Sequence, residues 1–370
     1  MTEPAPAPRR RWDERTLRWG GLALLLVVLN VAVWLRPKTP TLPPPPVPNA
    51  GAYTEDDPTL TVDALGPRRF TVIDVHEHAE TEADVERLVK AMDGLQIEKA
   101  CVLAASRSTF DRFGAAHFEG FEDNNEALLR AKARRPDRVC VFVTLHPGDE
   151  GNAEKLAKYV ERGADGLKLY MGHPGSAGDE PFHAMALDDP RMWPVFEYAE
   201  KIDLPITLHV DLNRWGDELS RLLDRFPGLR LDLPHFATSK NTPERLARLG
   251  RLLDAHPKVF IDVSFGAPEI QTADFETLAA GHAQVAEFIA AHADRVMFAS
   301  DLVVTAGIDD AFITSTLRSY MQMLEATRFR FFLRPDKTMW GLALPDSVLE
   351  KVYRTTPAAF LKLRAPAAPR

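Results

Sequence analysis

The 370-residue chain predicts an α/β fold, a (β/α)8 TIM barrel preceded by a single N-terminal transmembrane helix and a proline-rich linker. Three observations predict it. An uncharged apolar run, Trp19 to Leu35, is followed at once by a proline-dense stretch. From Phe70 onward, short β-branched apolar runs alternate with longer amphipathic segments, which is the pattern of a covered parallel sheet. An open doubly wound sheet that serves a nucleotide needs a glycine-rich loop after its first strand, and the residues after Val75 are His-Glu-His-Ala-Glu instead.

The apolar run (WGGLALLLVVLNVAVWL, residues 19–35) has 17 residues, at the short end for a membrane span. Trp19 and Trp34 stand at its edges, where amphipathic rings favour the headgroup zone. Arg9, Arg10, Arg11, Arg15 and Arg18 precede it, and only Arg36 and Lys38 follow within the same distance. That asymmetry places a basic tail, residues 1–18, in the cytoplasm and the rest in the periplasm or outside the cell. A cleaved signal peptide shares the basic start and apolar run, but no small-x-small cleavage site follows at the right place. Residues 36–60, with PKTPTLPPPPVP at 37–48, predict an extended spacer that holds a folded domain, residues 61–370, clear of the lipid.

Within that domain the predicted strands are 70–75, 99–104, 139–145, 165–170, 204–209, 229–234, 258–264 and 295–300. Helical segments fall between them at 83–94, 122–134, 152–162, 192–202, 216–225, 243–255 and 279–293. Leu246, Leu249 and Leu253 have the spacing of a buried helical stripe, and Thr242-Pro243 supplies its N-cap and first-turn proline. A helical pair over 346–362 closes the chain, its second member starting at Thr356-Pro357. Eight such units in about 300 residues fit a closed barrel.

Composition sets the outer limits. With 45% hydrophobic and 26% charged residues the domain can bury an ordinary core. A net charge of −8, with no basic stretch beyond the N-terminus, argues against a nucleic-acid partner. Cys101 and Cys140 each fall inside a predicted strand and read as small buried hydrophobes, with no disulfide expected between them.

Barrel enzymes carry reactive groups at the C-terminal ends of their strands. Those positions here hold His76-Glu77-His78 after strand one, Lys168 in strand four, His209 after five, His235 after six and Asp301 after eight. His76 and His78, two apart on a strand, point to one face, and paired imidazoles suit zinc or another divalent transition metal. Among 11 histidines a His-x-His match alone is weak, and its ordered company is what gives it weight. Glu77 points away from its neighbours and reads as structural. Arg107 and Arg112 after strand two, His146 after three, His173 after four and Arg214 after five are candidate substrate-binding groups, though each is more often a solvated loop residue.

On IDVHEH, GADGLKLY, PITLHVD, LPHFA and FASD, with GLALPDSVLEKVY near the C-terminus, the chain resembles the amidohydrolase superfamily. Within it, the resemblance is to the amidohydrolase family two branch, which includes aminocarboxymuconate-semialdehyde decarboxylase, and it spans most of residues 70–362. The resemblance implies that His76, His78, His209 and Asp301 ligate one divalent metal, zinc by default, with manganese, iron and cobalt accepting similar donors. It implies that His235 is a general base or stabilises developing charge, and that Asp301 also accepts the proton of a metal-activated water. Lys168 corresponds either to the carboxylated bridge of binuclear members or to a group that holds a substrate carboxylate, and a mononuclear site is preferred.

Two features depart from the family pattern. Ala299-Ser300-Asp301 runs into Leu302-Val303 where Gly-Ser-Asp, an aromatic and proline are usual, and Thr356-Pro357-Ala358 replaces Asn-Ala in the closing helix. The expected activity is hydrolysis of a C–N or C–O bond in a small molecule, such as an amide, cyclic amide or lactone. The alternatives are a non-oxidative decarboxylase built on the same ligands and a non-catalytic tethered binding protein. A homodimer is the ordinary expectation for such a domain.

Overall fold

Among the described residues, eight parallel strands follow one another around the sheet in chain order. They are β1 (Val72–Ala79), β2 (Ile97–Leu103), β3 (Val139–Thr144), β4 (Gly166–Leu169), β5 (Pro205–Leu208), β6 (Arg230–Leu233), β7 (Val259–Asp262) and β8 (Val296–Met297). A short continuation, β9 (Val303–Val304), pairs with the far side of β1. The computed structural model describes residues 70–110, 118–171, 185–240, 242–266 and 268–363. The expected basic tail, the span 19–35 and the linker 36–60 lie outside the described residues, as do Arg112 and His173. Among the described residues no helix is long and apolar enough to cross a membrane.

The segment from β8 to β9 bonds back onto β1. Val75 N–H donates to Phe298 O (3.1 Å), Asp301 N–H to His76 O (2.8 Å) and His78 N–H to Leu302 O (2.8 Å). The result is a parallel sheet wrapped on itself, consistent with a (β/α)8 barrel. A register shift between Asp74 and Glu77 bulges β1 beside the first histidine, a device that re-aims side chains next to active sites.

Among the described residues, nine longer helices cover the sheet: α1 (Glu82–Asp93), α2 (Phe121–Arg134), α3 (Asn152–Glu161), α4 (Trp193–Ile202), α5 (Leu212–Arg225), α6 (Pro243–Ala255), α7 (Pro268–Ala280), α8 (His282–Ala291) and α9 (Asp310–Glu325). Their starts follow local chemistry. Thr81 and Asp84 form a reciprocal capping box on α1, and Thr242 caps α6 through the Arg245 N–H ahead of a first-turn proline. Leu246, Leu249 and Leu253 of α6 are buried as their spacing predicts.

Elsewhere the structure differs from the sequence reading. The helix expected over 279–293 is α8 alone, separated at Gly281 from α7. No element is expected between 301 and 346, yet α9 lies there, followed by a two-stranded hairpin of β10 (Arg328–Phe329) and β11 (Met339–Trp340). The closing pair is one run in which a π-helical turn, Lys351–Thr355, joins Asp346–Glu350 to Thr356–Phe360.

Inside the ring, Ile73, Val75, Cys101, Leu103, Cys140, Phe142, Phe260, Met297 and Ala299 pack on Phe360 to form an apolar floor. A methyl group on Gly166 would lie 2.6 Å from the Phe142 ring, so that position has to be bare. The floor also corrects the reading of the cysteines. Cys101 and Cys140 are direct partners in the β2–β3 register, 4.5 Å apart at Cα, and form a disulfide. Burial in neighbouring strands is correctly read from the sequence, whereas the register that sets the two thiols side by side is not visible in it.

Candidate metal centre

The polar mouth begins one or two residues above that floor. His76 and His78 lie within β1, and the bulge brings both Nε2 atoms to 3.3 Å from the same Asp301 oxygen, Oδ1. The other carboxylate oxygen, Oδ2, lies 3.5 Å from His235 Nε2. Among the described residues, His76, His78 and Asp301 form one group whose ligand atoms all lie within 4.8 Å of one another, and His76, Asp232 and Asp262 form another.

Hydrogen bonds at the far ring nitrogens decide what these histidines present. His76 Nδ1 lies 2.8 Å from Asp262 Oδ2, and His78 Nδ1 lies 2.6 Å from the Leu103 carbonyl. Both partners accept only, so each Nδ1 carries the proton and each Nε2 is a bare lone pair facing the mouth. A carboxylate behind a histidine ligand is the usual outer support of a metal site. Two donors occupy those lone pairs: Lys168 Nζ at 3.1 Å from His76 Nε2, and the Tyr170 hydroxyl at 3.3 Å from His78 Nε2.

The electrostatics agree with this arrangement. Burial holds His76 neutral, lowering its pKa to about 4 against the opposing pull of Asp301. Burial likewise lowers His235 and Lys168. For Asp301, burial pushes upward but is outweighed by His76, His78 and His235, which hold the carboxyl well below its ordinary range. Imidazole nitrogens and an ionised carboxylate, converging and buried, are the donor set a divalent cation takes.

The backbone at the mouth is strained. Asp301 has φ of 50°, and His235, Phe236, Ala237 and Thr238 make a left-handed turn with φ of 60°, 55°, 47° and 58°. Left-handed helical geometry costs L-residues roughly 1–2 kcal/mol each. Such strain persists where neighbouring contacts fix it, commonly at functional sites.

The remaining predicted residues fall in different places. His209 lies outside the converging ligand group; its ring meets His235 edge-on, with centroids 5.0 Å apart. His146 sits at the rim with Nδ1 3.0 Å from Asp149, and its ring packs edge-on against Phe118, which in turn touches Tyr170. Arg107 is exposed at the start of a short helix and lines a side cavity with Glu80, Thr81 and Arg130. Arg214 is exposed on α5. Glu77 is structural, as expected, accepting from the Ser300 hydroxyl and from Leu302 N–H at 2.9 Å.

Sequence reasoning passes over Tyr170, Asp232, Asp262 and Ser264. A signal for two of them is present: the chain leaves β7 through Ile-Asp-Val-Ser at 261–264, the pattern in which β1 carries Ile-Asp-Val-His at 73–76.

A barrel-type parallel sheet with a buried His-His-Asp centre at the C-terminal ends of its strands defines a metal-dependent enzyme of the amidohydrolase kind. The amidohydrolase family model matches residues 73–363, and the chain belongs to that family. No curated protein matches it.

Several solved structures share the fold. One, described as a probable 2-pyrone-4,6-dicarboxylic acid hydrolase from Acinetobacter baumannii with citric acid bound, is 14% identical with a TM-score of 0.52, over 80% of this chain and 100% of that one. Another is 2,6-dihydroxybenzoate decarboxylase from Rhizobium, at 17% identity and a TM-score of 0.50, over 80% and 99% of the two chains. A third is a manganese-bound 5-carboxyvanillate decarboxylase from Novosphingobium aromaticivorans, at 15% identity and a TM-score of 0.50, over 82% and 100%.

Proposed function

We propose that the chain is a divalent-metal-dependent hydrolase that cleaves a C–N or C–O bond beside a carbonyl in a small molecule, such as an amide, cyclic amide or lactone. The observation that carries this reading is the double placement of Asp301. Its Oδ1 lies 3.3 Å from both His76 Nε2 and His78 Nε2, and its Oδ2 lies 3.5 Å from His235 Nε2. One carboxylate therefore stands both at the cation position and in reach of a proton-carrying imidazole. A divalent ion held there supplies Lewis-acid polarisation of the carbonyl and acidification of a water. The protein's own groups do the rest. Asp301 Oδ2 takes the water's proton and passes it to His235 Nε2, His235 delivers that proton to the leaving nitrogen or oxygen, and Lys168 offers a positive charge to the oxygen that becomes negative. Zinc and manganese both suit these donors, and the manganese in the carboxyvanillate decarboxylase favours the latter.

A second reading, non-oxidative decarboxylation, is favoured by the fold shared with two decarboxylases and by Lys168, whose ammonium can hold a substrate carboxylate. Turnover of lactones, amides and aromatic carboxylic acids in ¹⁸O-water separates the two. Label entering the product without release of carbon dioxide supports hydrolysis, and carbon dioxide without label supports the lyase. Metal-loaded protein that turns over none of these classes argues against both.

The proposal extends to location: the domain is tethered through residues 19–35 and works outside the cytoplasm. The excess of arginine before that run supports this, as does the Cys101–Cys140 disulfide, a bond that persists in oxidising compartments. Protection of the domain from protease in spheroplasts would count against it.

A further inference from the structure

We propose that Asp262, acting with Ser264, is a positioning residue that sets the protonated nitrogen of two histidines at once, His76 and His235. The inference rests on the reading above of His76 as a metal ligand and His235 as the proton carrier.

Asp262 ends β7 at the centre of the ring and is fully buried. Its Oδ2 faces His76 Nδ1 at 2.8 Å. Its Oδ1 accepts the backbone N–H of His235 at 3.0 Å, the backbone N–H of Ser264 at 3.0 Å and the Ser264 hydroxyl at 2.5 Å. Three donors crowd Oδ1 and a fourth meets Oδ2, so Asp262 is held as an anionic acceptor with no proton of its own to give.

The consequence reaches His235 through the serine. Ser264 Oγ lies 2.8 Å from His235 Nδ1. Its single proton already goes to Asp262, so toward His235 the hydroxyl can only accept. His235 Nδ1 must then carry the hydrogen, which leaves Nε2 as the free base beside Asp301 Oδ2. The opposite tautomer would put two lone pairs face to face at Nδ1. The same carboxylate also anchors the left-handed turn that begins at His235, through the backbone N–H it accepts.

The test is direct observation of the tautomers. The full-length chain labelled with [¹⁵N]histidine and stripped of metal is examined by solid-state NMR at about pH 8.5, some two units above the ordinary imidazole pKa of ~6.5. The His76 and His235 signals are assigned from His76→Gln and His235→Gln. Both rings are expected as the Nδ1–H form. Ser264→Ala is expected to move His235 toward Nε2–H, where Asp301 can accept, and to leave His76 unchanged. Ser264→Thr, which keeps the hydroxyl, restores the original signal. Asp262→Asn is expected to disturb both rings and to weaken binding of added Zn²⁺ about 10–100-fold, the usual cost of losing an outer partner of a metal ligand.

An Nε2–H signal for His235 in the parent protein overturns the proposal, as does an unchanged His235 signal in Ser264→Ala. The serine pair decides the matter even if Asp262→Asn fails to fold. Because the tautomers are read without metal or turnover, the expected signals together with no Zn²⁺ binding would overturn the proposed function and leave this inference standing.

Discussion

The floor and the mouth of the barrel are made from the same strands, often from residues one or two apart, and they obey opposite rules. On β1, Ile73 and Val75 belong to the floor while His76 and His78 open into the mouth. On β7 the change falls between Phe260 and Asp262, and after β8 it falls between Ala299 and Asp301. Below, the packed side chains are apolar and stability follows buried volume. Above, buried carboxylates, imidazoles and an ammonium are held in a hydrogen-bonded network that runs through Asp262, His76, His78 and Lys168. The rigid lower layer fixes where strands end, and ligand geometry is set by where strands end. Changes below should therefore cost stability and spare the metal, and changes above should do the reverse.

The largest effect tests the mouth. The double substitution His76→Ala and His78→Ala should abolish retention of divalent metal, measured by elemental analysis, with the urea unfolding curve close to that of the parent. Full metal occupancy in this variant would place the cation elsewhere. His235→Asn should keep the metal and lose turnover, which separates the proton carrier from the ligands.

In the floor, Phe142→Ala removes a fully buried ring that packs on Gly166 and Phe360. It should cost about 3–5 kcal/mol, seen as a lower urea midpoint, while metal content per folded chain stays the same. A loss of metal larger than the loss of folded protein would break the division between the two layers.

Smaller again is the disulfide. Cys101 and Cys140 are separated by 39 residues in sequence, and closing a loop of that size stabilises a fold by about 2–4 kcal/mol. Paired serine substitutions at these positions should lower stability by that amount and leave metal content unchanged. An unaltered unfolding curve would mean that apolar packing alone holds β2 against β3.

How far each layer is legible in the sequence follows from the same contrast. Floor residues announce themselves, since runs such as VCVFV at 139–143 have no other place than a covered strand. The histidines at strand ends are equally visible, because imidazoles at that position have a short list of uses. What the sequence does not carry is register and distant pairing. The Cys101–Cys140 bond depends on a one-residue choice of alignment between two parallel strands. The pairing of Asp262 with His76, 186 residues away, is likewise made only by the fold. Helix α9 escapes for a local reason: DAFITSTLRSYMQMLE holds Ile313, Thr314 and Thr316, β-branched residues with weak helix propensity, and buries Thr316 and Ser319 among its apolar side chains. Tertiary packing overrides that preference.

The last test lies on the border between the layers, at Asp74. This carboxyl is buried beside Glu77, and burial raises its pKa from 3.8 to about 7, with Asp262 adding to the rise and hydrogen bonds from Glu77 and His76 opposing it. Between those two values the folded protein binds more protons at this position than the unfolded chain does. Stability contributed by this group therefore falls as pH rises through that interval. Asp74→Asn removes the titration, so the pH slope of unfolding free energy should be flatter in the variant than in the parent from about pH 4 to 7. Parallel slopes would mean that Asp74 is ionised throughout and that Glu77 alone holds the shared proton. A steeper slope in the variant would show that Asp74 takes part in holding the histidines above it, and the floor would then extend one residue less far than the apolar packing implies.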